Sequence, residues 1–408
     1  MPQLVFHNAR LSLEGGIQHG GVLIRDGRIA LVFGQTQTPT GLSASESMDL
    51  GGALLAPGLI DIHIHGSVGV DVQATDAGGL AKLSEFLLAE GVTGYFPTFV
   101  PADERGYRDA VDAIGSYIDR QNKTDRSGKP KVAARVLGIH FEGPFVSEHR
   151  CGALHREHFR AYEGDPRSLE HFTSLSARSG RLMTLAPEVR GGLDLTRDLT
   201  RAGVRVFIGH SQAEPQTLDL AFEAGARHIT HFPNALDPLH HRKPGAVAWG
   251  LLRDDVTLDC IADLHHVDPL MLRLIYKSKS AERMALISDA IMPTALGEGE
   301  FSVWGEGITV RNGRTSLARQ PGESTIAGSV ITLRQALKNM VGLGVPLHEA
   351  VRMASAVPAR AAGIEAEYGT IREGMRADLV SFDDEFSVRL VTIDGTQIYH
   401  NAWPAQPF

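Results

Sequence analysis

Eight short apolar runs, each followed by a stretch of helical length, constrain this 408-residue chain more than any other feature. They fall at 59–65, 92–100, 135–142, 182–188, 204–210, 228–231, 256–263 and 284–289. The intervening stretches include Gly79–Glu90, Arg105–Asp119, Pro215–Gly225 and Pro269–Lys277. Several of them open with Pro or an acidic residue in the first turn and close at Gly, as helices do. Apolar strands alternating with helices produce parallel strands joined by helical crossovers. Eight such units in roughly 250 residues or more predict an α/β fold, a (β/α)8 TIM-type barrel. No internal repeat or low-complexity tract competes with that reading.

The two ends follow a different pattern. Residues 1–53 carry short strands with turns at Glu14-Gly15-Gly16 and Asp26-Gly27, and 368–408 carry Ala377–Phe382 and a turn at Asp394-Gly395. Neither segment alone has enough apolar surface for a stable sheet. Both are therefore expected to pair into one small β-sandwich beside a barrel spanning 54–367. Within that span, a hairpin excursion is expected near 299–318, with Asn312-Gly313 at its turn.

Composition excludes several functional classes. The chain is 43% hydrophobic, yet no apolar run reaches the roughly 20 residues that cross a bilayer. Its first residues lack the basic and apolar regions of a signal peptide, so the cytoplasm is the expected compartment. A net charge of −8 argues against a nucleic-acid partner. The two cysteines, Cys151 and Cys260, form neither a disulfide framework nor a paired metal-binding spacing.

Chemistry in a TIM barrel occurs at the C-terminal ends of the strands. His63 and His65 end the first run, and side chains two apart on a strand point the same way, so the pair could grip one metal ion. Glu142 ends the third run, His210 the fifth, His231 the sixth and Asp289 the eighth. Each has a plain alternative: Glu142 could cap a turn, His210 could be a hydrogen-bonded core histidine, and Asp289 could cap the next segment. Six such residues at the mouths of five strands instead describe convergent metal ligands. Imidazole and carboxylate without thiolate suit zinc, or iron(II), manganese or cobalt. The fourth run ends Leu185-Ala186-Pro187-Glu188, without a lysine. Downstream, His240-His241-Arg242-Lys243 is a basic cluster on an acidic chain, which reads as an anion trap or as a solvated turn.

With these residues assembled, the chain resembles the amidohydrolase superfamily, in which a His-x-His strand, further histidines and a terminal Asp surround one or two metals. The segments Phe141-Glu142-Gly143-Pro144, Gly209-His210-Ser211, Thr230-His231-Phe232-Pro233-Asn234-Ala235-Leu236, Ile261-Ala262-Asp263-Leu264-His265-His266, Ser288-Asp289-Ala290 and Ile326-Ala327-Gly328-Ser329 are specifically similar to the N-acetylglucosamine-6-phosphate deacetylase family. The resemblance extends through both termini. It implies that Glu142, His210 and His231 hold the principal metal, that His63 and His65 furnish a second position, and that Asp289 is the catalytic acid/base. It also implies that Asn234, Ala235, Arg242 and His266 contact a phosphorylated N-acetyl amino sugar, with Arg242 reaching the neighbouring subunit of a homodimer. Pro233 and Leu236 replace the aromatic and Met usual there.

In the loop Gly152-Ala153-Leu154-His155, the histidine that polarises the substrate carbonyl in the family is displaced by one position. Either the loop shifts to deliver His155, with Ala153 beside the substrate, or Leu154 occupies the place. The implied reaction is hydrolysis of an acetamide, with water activated by a divalent metal and Asp289 relaying the proton. The glucose and galactose configurations of the sugar both stay open. So do another amidohydrolase activity, such as N-acyl-D-amino-acid deacylation, and a catalytically silent barrel scaffold.

Overall fold

The computed structural model describes residues 3–35, 47–121, 133–174, 179–317 and 325–399. Eight parallel strands form the barrel. Strand one is Leu59–Ile64, two Val92–Phe99, three Gly138–Glu142 and four Gly180–Leu185. Strand five is Arg205–Ile208, six His228–Ile229, seven Thr257–Ile261 and eight Met284–Ile287. Each pairs with its successor in chain order. Strand eight returns to strand one through the main-chain bond Asp289 N to His63 O, 3.0 Å, leaving a nearly closed barrel. The eight apolar runs thus occupy the positions read from their pattern.

The strands read as unbroken apolar runs because they are covered on both faces. Every residue of strands one and two is buried, as in parallel sheets flanked by helices. The helix Ala77–Ala89 starts where the Asp76 carboxylate accepts from the N–H groups of Gly78 and Gly79. Such a cap contributes about 1 kcal/mol. The helix then buries Leu80, Leu83 and Leu87 at three- and four-residue spacing. Among the described residues, no helix is long and apolar enough to cross a membrane.

Below the strand mouths the barrel interior carries a polar layer rather than branched aliphatics. His140 donates from Nδ1 to the Ile62 carbonyl (2.8 Å) and pairs through Nε2 with Thr184 Oγ1 (2.8 Å), joining strands one, three and four. Burial lowers its pKa to about 4, so it stays neutral. Gly209 leaves room for this layer, since a Cβ there would lie 2.4 Å from Thr230 Cγ2 and 2.6 Å from Thr184 Cγ2.

Both chain ends contribute to one eight-stranded sheet. Leu54–Pro57 joins them, pairing parallel with Gln3–Leu13 and antiparallel with Leu379–Phe382. Phe6, Leu11, Val22, Ile24, Leu55, Leu379 and Leu390 pack together on it. Gly58 alone separates this sheet from strand one, and its N–H donates to Asp378 O (2.9 Å). The excursion after strand eight is a three-stranded sheet, Gly299–Val303, Glu306–Arg311 and Arg314–Leu317, turning at Trp304-Gly305 and at Asn312-Gly313.

Candidate active site

The strand ends bring the six candidate residues together, three of them by a shared local device. Glu142 is the last residue of strand three, and His210, His231 and Asp289 each follow their strands by two residues. These last three have positive φ of 47°, 32° and 49°. The left-handed conformation costs an L-residue about 1 to 2 kcal/mol, and strain of this kind concentrates at functional sites. Main-chain bonds hold it in place: Ser147 N to His210 O, Asn234 N to His231 O and Ser329 N to Asp289 O, at 3.0, 2.7 and 2.7 Å.

The Glu142 carboxylate is the geometric centre. Its Oε1 lies 2.9 Å from His210 Nε2, 3.0 Å from His231 Nε2 and 3.6 Å from His63 Nε2. Its Oε2 lies 3.4 Å from His65 Nε2. Asp289 Oδ1 stands 3.4 Å from His63 Nε2 and 3.2 Å from His65 Nε2. Glu142 is therefore common to two triads, one with His210 and His231 and one with His63 and His65, and within each the ligand atoms lie within 4.8 Å of one another.

The hydrogen bonds behind the rings show what this cluster is built to hold. His65 Nδ1 pairs with Thr98 O (3.0 Å) and His210 Nδ1 with Arg150 O (2.7 Å). A carbonyl only accepts, so each Nδ1 carries a proton and each Nε2 is left to face the cluster. His63 Nδ1 likewise meets Thr230 Oγ1 at 3.2 Å. Carbonyl-anchored imidazoles of this kind are the usual support of metal-ligating histidines. Nε2 atoms only 3.1 Å apart at His210 and His231, and 3.2 Å apart at His63 and His65, require a proton or a cation between them. The donor set fits a divalent cation at either triad.

The cluster's electrostatics agree. Burial pushes the Glu142 carboxyl up, but hydrogen bonds from His210 and His231 and the ring of imidazoles around it outweigh burial and hold the group well below the ordinary carboxylate range. Burial opposes charge on His231, yet its hydrogen bond to Glu142 and the charge of that carboxylate raise it to about 9. For His63 burial prevails and its pKa falls well below the ordinary value. Asp61 lies beneath, fully buried, its Oδ1 accepting from the N–H groups of His63 and Ser288, both at 3.3 Å. Burial, only partly offset by these bonds, raises it to about 7.

Known proteins resemble this chain in sequence and in fold. The sequence profile of the Amidohydrolase family matches residues 284–398. The chain is 35% identical to the N-acetylgalactosamine-6-phosphate deacetylase of Escherichia coli O157:H7, over 94% of this chain and 96% of the relative. It is 33% identical to the human N-acetylglucosamine-6-phosphate deacetylase, over 97% and 95%. The chain belongs to the N-acetylglucosamine-6-phosphate deacetylase family of amidohydrolases. Crystal structures extend the likeness to the fold. The Pasteurella multocida N-acetylglucosamine-6-phosphate deacetylase superposes with a TM-score of 0.87 at 28% identity, over 98% of this chain and 100% of that one. A mutant of the Mycobacterium smegmatis enzyme, in complex with N-acetyl-D-glucosamine-6-phosphate, gives 0.84 at 28% identity, over 97% and 99%.

In this deacetylase fold the other candidate residues surround the cluster unevenly. Asn234 donates from Nδ2 to His231 O (3.0 Å), and Ala235, at φ 52°, accepts from Ser211 N (3.1 Å), so both belong to the His231 mouth. His266 is held by Asp263, Nδ1 to Oδ2 2.7 Å. The loop with Ala153 crosses His210, since a Cβ on Gly152 would lie 3.5 Å from His210 Cε1. Leu154 is buried with Val100 and Val146. His155 pairs through Nδ1 with Glu157 (3.2 Å), while its Nε2 is shielded from solvent without a hydrogen-bond partner. Arg242 lies in an exposed turn, its Nη1 2.7 Å from His241 Nε2.

Three contributors escape sequence reading. Trp304, at the tip of the excursion, sets its ring edge-on to His65 at 5.1 Å. The buried Glu188 accepts from Ser211 Oγ and Gln212 N, both at 2.7 Å, bracing the His210 mouth. Asp259 accepts from the His231 N–H. The position of Glu188 at a strand end was a signal; the other two had none in the local sequence.

Proposed function

We propose that this chain hydrolyses the acetamide of N-acetylglucosamine 6-phosphate to glucosamine 6-phosphate and acetate. The observation that carries the reading is the convergence of four imidazole Nε2 atoms on Glu142, with the Asp289 carboxylate at the edge of the same cluster. Glu142, His210 and His231 would hold the principal ion, zinc by donor chemistry, with iron(II), manganese and cobalt as alternatives. His63 and His65 would complete a second position. A bound divalent ion supplies electrophilic polarisation and lowers the pKa of water from about 15.7 to about 7.

The chain's own residues supply the rest. Asp289 accepts the proton of the attacking water and returns it to the departing sugar nitrogen, so the amine leaves neutral. His155, with Nδ1–H donating to Glu157, has an unpartnered Nε2 that as imidazolium can donate to the acetyl carbonyl. Leu154, packed in its apolar cluster, is the poorer candidate for that place. Asn234, Ala235, His266 and Ala153 line the sugar side. Arg242 binds the phosphate of the substrate in a neighbouring subunit, which makes the working form a homodimer. Its exposure supports that reading, as does the suitability of a guanidinium for two parallel bonds to phosphate.

The division into a terminal β-unit and a barrel belongs to the same proposal, as does a cytoplasmic location. Leu54–Pro57, however, falls in the terminal sheet rather than in the barrel, which starts at Leu59, because it is the strand that pairs with both chain ends. The packing of Phe6, Ile24 and Leu55 against Leu379 supports a shared terminal unit. The test is acetate release from the glucose- and galactose-configured 6-phosphates alongside the metal content of the same preparation. A faster reaction with the galactose-configured sugar would shift the assignment to that substrate, and no acetate from either would remove it.

A further inference from the structure

We propose that Asp259 is a positioning residue for the ligand His231, acting on its main chain. The inference rests on the reading of His231 as a metal ligand. Three of the four imidazoles at the site are oriented from behind through Nδ1, by Thr230 Oγ1 for His63, Thr98 O for His65 and Arg150 O for His210. His231 differs, because its Nδ1 is buried without a hydrogen-bond partner. Its ring direction must come from its backbone, which is left-handed at φ 32°.

Strand six gives that backbone little help. It comprises only His228–Ile229, and its ladders to strands five and seven involve those two residues alone. Beyond them, Asp259 of strand seven takes over. Its Oδ1 accepts from His231 N, and its own carbonyl accepts from Phe232 N at 2.7 Å. Two successive peptide N–H groups of the turn are thereby fixed by one residue. The second carboxylate oxygen is 2.7 Å from His228 Nε2, and His228 Nδ1 is 2.7 Å from Thr257 Oγ1. Asp259 and His228 are 0% and 1% exposed, so the carboxylate is tolerated only because both oxygens are hydrogen-bonded. A charge-assisted bond to a main-chain N–H is also stronger than a neutral one. The chain Thr257, His228, Asp259 thus replaces the missing ring contact and sets where His231 Nε2 meets Glu142.

The test uses the full chain, stripped of metal and titrated with zinc against a chromophoric chelator, with the melting temperature of the metal-free protein measured in parallel. Asp259→Ala is expected to weaken tight zinc binding about 10- to 100-fold, the usual effect of losing a partner behind a ligand. Asp259→Asn, which keeps a neutral acceptor for His231 N, is expected to recover most of this and weaken zinc about three- to tenfold. A folded Asp259→Ala protein with wild-type zinc affinity, whatever its melting temperature, would make the pair purely structural and overturn the proposal. If Asp259→Ala does not fold, Asp259→Asn decides in the same way: weakened zinc supports the proposal, unchanged zinc overturns it. His231→Ala is the control for the underlying reading. Wild-type zinc affinity in that variant would remove His231 as a ligand, and the proposal with it.

Discussion

The main-chain N–H of Asp289 donates to the carbonyl of His63 at 3.0 Å. This bond ties the last barrel strand to the first, and it also fixes the distance between the proposed proton carrier and the His63–His65 pair. Barrel closure and the placement of this carboxylate are one feature, so the group proposed to move protons is anchored by strand pairing.

Asp289→Asn keeps the shape and the main-chain bond but removes the proton acceptor. Turnover should fall about 10²- to 10⁴-fold, the usual contribution of a positioned general base. Bound metal and KM should stay close to wild type. Near-normal kcat would exclude Asp289 from proton transfer.

Replacing His63 and His65 by Gln and Asn should leave the Glu142, His210 and His231 triad intact. Metal analysis is expected to find one ion per chain, with measurable activity retained. Complete loss of metal would make the pair the primary site, because Glu142 is shared by both triads.

Arg242→Ala should raise KM for the phosphorylated sugar by one to two orders of magnitude, roughly the worth of a charged hydrogen-bonding pair. The unphosphorylated sugar should be little affected. If Arg242 acts across a dimer, mixing Arg242→Ala with Asp289→Asn should restore up to about a quarter of wild-type activity, from mixed dimers with one intact site. No recovery on mixing would place the arginine's contact within its own subunit.

The metal-free protein should lose stability as pH rises. His231 is held by Glu142 at about 9, above the ordinary 6.5 of an unfolded histidine. Its contribution is therefore fully present below 6.5 and is lost as pH rises through 9. Thermal denaturation after chelation should show melting temperatures declining between those values, by an amount on the order of 3 kcal/mol at most. Zinc binding must displace the same proton, so affinity should fall as pH drops. Melting temperatures of the metal-free protein that are flat across this window would contradict the coupling.

Much of this was legible in the chain because the barrel is written in local pattern. A strand covered on both faces needs an unbroken apolar run, so Leu59–Ile64 and Val92–Phe99 announce themselves. Strand parity puts His63 and His65 on one side, and a polar residue at the end of such a run stands at the mouth. Sequence therefore determined the strands, the order in which they pair, and the six residues that meet. What the tertiary structure decided were relations between residues far apart in the chain. Glu142 lies 68 positions from His210 and 89 from His231, and only strand register made its carboxylate the centre. Asp259 gave no local sign, since a lone Asp in an apolar strand reads as an exception until His231 N and His228 are found against it. Trp304 reached His65 from a hairpin beyond the last barrel strand, and the two chain ends became one sheet through Leu54–Pro57. Local pattern specifies which way a side chain points, whereas the distance to its partner follows from how separate elements pack.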